Sequence, residues 1–211
     1  MAGTGPPSKY SGASDDEFQP GSRKRVLANK QGIISRQEMN DGEILAYKAA
    51  AENLAKGLAR DHRFSAEDVK TIHKEIFGKL YPWAGSYRNK DLSKEGFMFT
   101  RAIFIAGHME QLSRNTLEAY TPPKDQTRDE LTVHLAEIHD ELILIHPFRD
   151  GNGRTVRLLI HLVAQQAGFG GLDFSFIKGS GKEYERFIAA VKAGVSGNYE
   201  PMNTIIQRAL F

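Results

Sequence analysis

Residues 146–157 bring together residue types that could bind and transfer a phosphate group. The segment reads His-Pro-Phe-Arg-Asp-Gly-Asn-Gly-Arg-Thr-Val-Arg. Gly151 and Gly153 allow the backbone to turn sharply, and the first N–H groups of a helix that follows such a turn bind anions. Arg154 and Arg157 lie three positions apart, so on a helix they project from one face and can bracket a polyphosphate. The spacing therefore predicts a phosphate-binding site.

Three further residues of this segment add a base, a carboxylate and a hydrophobic contact. A carboxylate beside an anion site is favourable when Mg²⁺ bridges it to phosphate oxygens, so Asp150 is predicted as a metal ligand. Histidine has an ordinary pKa of about 6.5, so His146 can take a proton from a hydroxyl near neutral pH. Phe148 is predicted to point inward. Each of these residues alone has a plainer explanation, but their combination favours a nucleotide-handling site.

Two predicted helices present this segment between them. The first carries apolar residues at three- and four-residue steps, and it should end at His146 because a residue before proline is pushed out of the helical region. The second begins near Asn152 and continues its apolar face to Ala167. The apolar positions of the first helix are Leu131, Leu135, Ile138, Leu142 and Ile145. Both helices are predicted to lie in the core.

The rest of the chain is also predicted to be mainly helical. Short extended pieces on either side of residues 93–96 predict one β-hairpin. The fold class is therefore an all-α bundle with one small hairpin. Residues 1–21, rich in Gly, Pro, Ser and Asp, are predicted to form a flexible tail before a domain over 22–211. The further helices are predicted from Asp41 to Arg60, Ser65 to Leu80, Ile103 to Tyr120, Gly181 to Val195 and Pro201 to Leu210.

The composition excludes several classes of partner and chemistry. The chain of 211 residues has 28 Lys and Arg against 26 Asp and Glu, so we expect no nucleic-acid partner. It has no cysteine, which excludes disulfides and thiol nucleophiles. No apolar run approaches the roughly 20 residues of a membrane span, and no hydrophobic N-terminal stretch predicts a secretory signal. We therefore expect no membrane partner.

The segment 146–157 resembles the signature of the Fic domain family at every defining position. Residues 26–30, residues 81–88 and the hairpin resemble the family's entry segment and its "flap". Residues 197–201 resemble its closing segment. The likeness covers the chain from about residue 18 onward. Within the family, the chain is most similar to Fic domains of bacterial toxins and of effectors injected into host cells by type IV secretion. The resemblance implies a Fic-type helical bundle.

The same resemblance implies transfer of AMP from ATP to a Ser, Thr or Tyr hydroxyl of a target protein, with release of pyrophosphate. His146 would deprotonate the hydroxyl, Asn152 and Arg157 would complete the catalytic set, and Asp150 would hold Mg²⁺. A target protein would pair with the hairpin, residues 87–101. The ATP-binding residues would be Phe148, Gly151, Asn152, Gly153, Arg154 and Arg157.

Two other activities fit the motif: transfer of phosphate or phosphocholine, and nucleotide binding without turnover. The resemblance also implies control by a helix of pattern [S/T]-x-x-x-E-[G/N], whose glutamate would pair with Arg157. The nearest spacings, Thr71 to Glu75 and Ser196 to Glu200, miss the last position. We therefore predict an active enzyme restrained by a separate small antitoxin-like protein, in the bacterial cytoplasm or, after secretion, in the host cytosol.

Overall fold

The fold consists of helices and one short hairpin, which confirms the predicted class. The computed structural model describes residues 17–94, 96–124 and 126–211. Strands β1 (Ser93–Lys94) and β2 (Phe97–Met98) are antiparallel, with Ser93 opposite Met98. The helices are α1 (Arg36–Gly57), α2 (Ala66–Phe77), α3 (Ile105–Leu112), α4 (Glu118–Tyr120), α5 (Arg128–Ile145), α6 (Asn152–Gln166), α7 (Lys182–Gly194) and α8 (Glu200–Ala209).

Helix α5 lies at the centre of the bundle and packs against α3, α6, α7 and α8. The five apolar residues that the spacing singled out on α5 are buried, as predicted, and so are the apolar residues of α6. α5 ends at Ile145 and α6 begins at Asn152, so residues 146–151 form a loop between two core helices. This loop is called the α5–α6 loop below. The rigid helices on both sides fix where it begins and ends.

The starts of α1 and α2 are both set by serine caps. Ser65 accepts a hydrogen bond from the N–H of Asp68, whose carboxylate accepts the N–H of Ser65 in return, which confirms the predicted start of α2. The predicted start of α1 at Asp41 is wrong, because the helix begins at Arg36 behind the cap residue Ser35. The early turns of α1 are mostly exposed, so they carry no apolar periodicity that could reveal them.

Part of the predicted tail lies against the domain. Residues 1–16 lie outside the described residues, whereas residues 17–21 are described. Glu17 forms ion pairs with Lys90 at 2.8 Å and with Arg149, and Phe18 forms a β-bridge with Leu27. The described end of the tail thus contacts Lys90, three residues before β1, and Arg149 of the α5–α6 loop. Within the described part of the chain, no helix has both the length and the apolarity needed to cross a bilayer.

Candidate active site

His146 opens the α5–α6 loop in a strained backbone conformation. It caps α5 with φ 51° and ψ 58°, a left-handed conformation that non-glycine residues seldom adopt and that concentrates at functional sites. Its Nδ1 lies 3.1 Å from the carbonyl oxygen of Ile143, which can only accept, so Nδ1 carries the proton of the neutral ring. The lone pair is therefore on Nε2. The ring stacks on Phe99, the residue after β2, with ring centroids 3.7 Å apart.

Asn152 holds the α5–α6 loop closed through its side chain. Its Oδ1 accepts the N–H of Phe148 and its Nδ2 donates to the carbonyl of Phe148, both at 2.9 Å. The sequence assigned Asn152 a direct catalytic and phosphate-binding role. In this structure the side-chain amide is used within the loop, so any phosphate contact of this residue must come from its backbone N–H. Phe148, also assigned to ATP, is fully buried and supports the loop from below.

Gly151 is required by its position at the start of α6. Its φ is 81°, and a Cβ at this residue would lie 2.3 Å from Cε2 of Phe77. The N–H of Gly151 donates to the carboxylate of Asp150 at 2.6 Å. In the described part of the chain, the next two N–H groups, those of Asn152 and Gly153, have no acceptor. The start of α6 therefore offers two unused backbone donors, which is the arrangement that binds a phosphate.

Arg154 is held by an ion pair with Glu43, a residue that the sequence did not assign to the site. Its Nη1 lies 2.7 Å from Oε2 of Glu43, and the hydroxyl of Tyr81 donates to Oε1 of Glu43 at 2.7 Å. The guanidinium also lies over the ring of Phe77, 4.5 Å from the centroid. Burial opposes the charged form of Arg154, but Glu43, with Asp150 and Tyr81, outweighs it and raises the pKa of the guanidinium. Arg154 is therefore a fixed, fully charged cation.

Arg157 and Arg154 line one cavity, and Arg157 has no acidic partner among the described residues. The cavity measures about 380 Å³, and Tyr47, Lys48 and Phe174 contribute to its lining together with both arginines. Burial lowers the pKa of Arg157, the Tyr47 phenol acts in the opposite direction, and the charge of Arg154 adds to the lowering. A cation that loses solvent without gaining a carboxylate is suited to an anionic ligand.

Arg88 ties the hairpin to the end of α5. It is 6% exposed and its guanidinium donates to main-chain carbonyls, among them those of His146 at 2.8 Å and Lys90 at 2.7 Å. Its own N–H donates to the carbonyl of Pro147 at 2.9 Å. Arg88 thereby sets the position of the hairpin relative to His146. The segment quoted for the resemblance contains Arg88, but nothing in its spacing indicated this role.

Asp150 is the one predicted metal ligand, and its surroundings fit Mg²⁺ bound together with a nucleotide. No group of three or more His, Cys, Asp or Glu side chains in the described ranges could hold a metal ion. Mg²⁺ in nucleotide enzymes commonly takes one or two carboxylates and completes its shell with phosphates and water. A single carboxylate beside the start of α6 is consistent with that mode, and it does not provide a protein-only metal cage.

Comparison with known proteins agrees with this geometry. The model of the Fic/DOC family matches residues 63–164, which include α2, the hairpin, α5 and the α5–α6 loop. The chain carries a Fic/DOC family domain. Helix α1, with Glu43, lies outside the range matched to the Fic/DOC family.

Relatives of this chain are protein adenylyltransferases by name. It is 28% identical over 203 residues to protein adenylyltransferase VbhT of Bartonella schoenbuchensis. The matched region covers 96% of this chain and 40% of that protein. The chain is 28% identical over 207 residues to the probable protein adenylyltransferase y4lH of Sinorhizobium fredii, which covers 96% of this chain and 99% of that protein. The chain thus spans less than half of the first relative and nearly all of the second.

A solved structure shares the fold and was obtained with a nucleotide analogue. BepC of Bartonella tribocorum, described as a VirB-translocated effector protein, matches with a TM-score of 0.71 and 25% identity over 88% of this chain and 92% of that one. AMPPNP is bound in that structure. The resemblance of the sequence to Fic domains of secreted effectors is therefore confirmed.

Proposed function

We propose that this chain is a protein adenylyltransferase, which transfers AMP from ATP to a hydroxyl of a target protein and releases pyrophosphate. The observation that carries the proposal is the α5–α6 loop. It begins with His146, whose neutral ring has its lone pair on Nε2, and it ends at the unused N–H groups of Asn152 and Gly153. A base and an anion site are thus joined by one short, rigid loop.

The reaction follows from the roles these groups can take. His146 Nε2 accepts the proton of the target hydroxyl while the hydroxyl oxygen attacks the α-phosphorus. The bond between the α-phosphorus and the oxygen that joins it to the β-phosphate breaks, and pyrophosphate leaves. The N–H groups at the start of α6, with Arg154 and Arg157, stabilise the charge on the phosphates, which is the main catalytic effect in such transfers. Asp150 would hold Mg²⁺, which supplies further charge neutralisation when bound.

The hairpin supports the proposed docking of a target protein. It is an antiparallel pair of two-residue strands, and a target protein can bind such a pair by adding an extended segment as a further strand. Phe99, which follows β2, stacks on His146. A segment paired with the hairpin would therefore lie next to the base, with its hydroxyl near the phosphate site.

The state of Arg157 supports control by a separate protein. Among the described residues the carboxylate nearest to this pair of arginines, that of Glu43, bonds Arg154 and leaves Arg157 without an acidic partner. We therefore place the inhibitory carboxylate on another small protein. We assign this chain to the bacterial cytoplasm or, as the VirB-translocated neighbour suggests, to the cytosol of a host cell.

Transfer from labelled ATP tests the proposal. The full chain is incubated with Mg²⁺ and a host or bacterial lysate, once with α-labelled and once with γ-labelled ATP. We expect protein-bound label only from α-labelled ATP. Label from γ-labelled ATP would instead show phosphate transfer, and nucleotide binding without transfer would leave a binding module.

The base is tested in the same assay with His146→Ala. We expect the transfer rate to fall by about 10²–10⁴, the usual contribution of a general base, while ATP affinity stays nearly unchanged. The matched control is His134→Ala, which removes a histidine of α5 that stacks on Tyr120 away from the loop. Transfer by His146→Ala at the parent rate would refute the mechanism.

A further inference from the structure

His73 lies beneath the α5–α6 loop with both ring nitrogens in hydrogen bonds. It is fully buried in α2. The N–H of Gly85 points to Nδ1 at 2.8 Å, and Nε2 lies 3.0 Å from the carbonyl oxygen of Asp150. A backbone N–H only donates, so Nδ1 is the acceptor, and the neutral ring carries its proton on Nε2. His73 therefore donates to the Asp150 carbonyl.

The ring of His73 cannot easily move away from this carbonyl. It stacks on Phe148 of the loop with centroids 3.8 Å apart, and it contacts Phe77 at 4.9 Å and Trp83 at 5.8 Å. The stack joins α2 to the underside of the loop. Packing and two hydrogen bonds thus fix the ring in one orientation.

The carbonyl of Asp150 sets the direction of the next N–H. In a planar trans peptide the C=O and N–H point in opposite directions. A carbonyl directed down to buried His73 therefore directs the N–H of Gly151 away from the core, where the Asp150 carboxylate accepts it at 2.6 Å. If this peptide turned over, a carbonyl oxygen would replace the N–H beside the start of α6 and would repel a phosphate.

Glycine makes such a turnover inexpensive unless another residue prevents it. Gly151 has φ 81° and no Cβ, so several backbone conformations are open to it. We propose that His73 is a positioning residue that holds the Asp150–Gly151 peptide in the orientation a phosphate needs. The proposal rests on the proposed function only in taking a nucleotide polyphosphate as the ligand.

Two polar substitutions separate the two hydrogen bonds of His73. The amide nitrogen of glutamine reaches about as far as Nε2, so His73→Gln keeps a donor for the Asp150 carbonyl. The amide oxygen of asparagine lies about where Nδ1 lies, so His73→Asn keeps only the acceptor for Gly85. Both variants lose the aromatic stack, so they share that structural cost.

Calorimetry with AMPPNP and Mg²⁺ on the full chain gives the first readout. We expect His73→Asn to bind about 10- to 100-fold more weakly than the parent, the range for a lost buried donor, and His73→Gln to recover most of that loss. His139→Phe is the control, because it changes another fully buried histidine, on α5, whose ring packs on Phe187. We expect it to lower the melting temperature but not the AMPPNP affinity.

Crystal structures of the two ligand-free variants give the second readout, which does not depend on nucleotide binding. We expect the Asp150 carbonyl to leave its present direction in His73→Asn and to keep it in His73→Gln. Equal affinities of the two variants, or an unchanged peptide in His73→Asn, would overturn the role of His73. Failure of the parent chain to bind AMPPNP would instead overturn the proposed function, and the crystal structures would still decide the role of His73.

Discussion

The two arginines of the site should contribute very different amounts to stability when their charge is removed. Arg154 and Arg157 lie on the same helix and border the same cavity, but only Arg154 has an acidic partner among the described residues. Replacing each by methionine keeps an unbranched side chain and removes the charge. The variants Arg154→Met and Arg157→Met therefore separate the cost of a broken ion pair from the loss of a ligand contact.

The structure gives the size of the first effect. In Arg154→Met the Glu43 carboxylate, whose side chain is 11% exposed, loses its cation but keeps the hydroxyl of Tyr81. Breaking a buried pair costs about 3–5 kcal/mol, and the 26% exposure of Arg154 with the remaining Tyr81 bond reduces this to roughly 2–3 kcal/mol. For a chain of this size, at about 2–4 °C per kcal/mol, we expect the melting temperature to fall by about 4–12 °C.

The second effect should be small. Arg157→Met leaves no carboxylate without a partner in the described chain, and it removes the bond from Nε to the carbonyl of Gly153 at 3.0 Å. It also removes a desolvated charge and its repulsion with Arg154. We expect the free energy of unfolding to stay within about 1 kcal/mol of the parent value, because the lost hydrogen bond contributes about 0.5–1.5 kcal/mol and removal of the desolvated charge offsets part of that loss.

Both variants should nevertheless bind nucleotide poorly. A charge-assisted hydrogen bond contributes about 1.5–3 kcal/mol, so the Kd for AMPPNP should rise roughly 10- to 150-fold in each. Urea unfolding followed by circular dichroism measures stability, and calorimetry measures Kd. Arg114→Met, an exposed arginine paired with Glu110, is the control and should change neither. Equal losses of stability in the two variants, or an unchanged Kd in either, would refute the reasoning.

Three further changes test the loop and the core. Asp150→Ala should remove the dependence of AMPPNP affinity on Mg²⁺, since the carboxylate is the predicted protein ligand; a Mg²⁺ titration that matches the parent would exclude it from the metal site. Gly151→Ala should unfold at a lower urea concentration than the parent, because a Cβ at this residue would lie 2.3 Å from the Phe77 ring. Gly153→Ala is the control: the nearest atom to a Cβ there lies at 3.9 Å, so this variant should keep the parent midpoint. Burial raises the pKa of Asp140 above 3.8, so the stability this carboxyl contributes is present below that pH and is lost as pH rises through its folded pKa. Asp140→Asn should therefore be more stable than the parent at pH 7, and an equal or lower urea midpoint there would contradict the shift.

The position and the main residues of the candidate site could be predicted from the sequence alone. His146, Asp150, Gly151 and the two arginines fall within residues 146–157, so their proximity follows from the chain itself. The apolar faces of α5 and α6 and the proline after His146 also located the two helices that hold them. These features depend on local spacing, and local spacing can be seen in a sequence.

Some local outcomes did not follow from residue types. The Asn152 side chain bonds the backbone N–H and C=O of Phe148 within the loop, and the predicted phosphate contact of this residue stays a prediction for its backbone N–H. The residue before proline was expected to leave the helix, and it does, but in a left-handed conformation that the Ile143 carbonyl stabilises through the His146 ring.

Only the tertiary structure revealed the residues that support the site. His73 lies 77 positions from Asp150, Glu43 lies 111 positions from Arg154, and Glu17 lies 132 positions from Arg149. His73 stands on the apolar face of α2, where a polar residue was a faint signal, and Glu43 gave none. Such contacts form when α1, α2 and the first described residues pack on α6 and its loop, and the geometry of that packing depends on the whole core. A single sequence has no spacing that encodes these distances, so the partners of the motif became visible only in the folded chain.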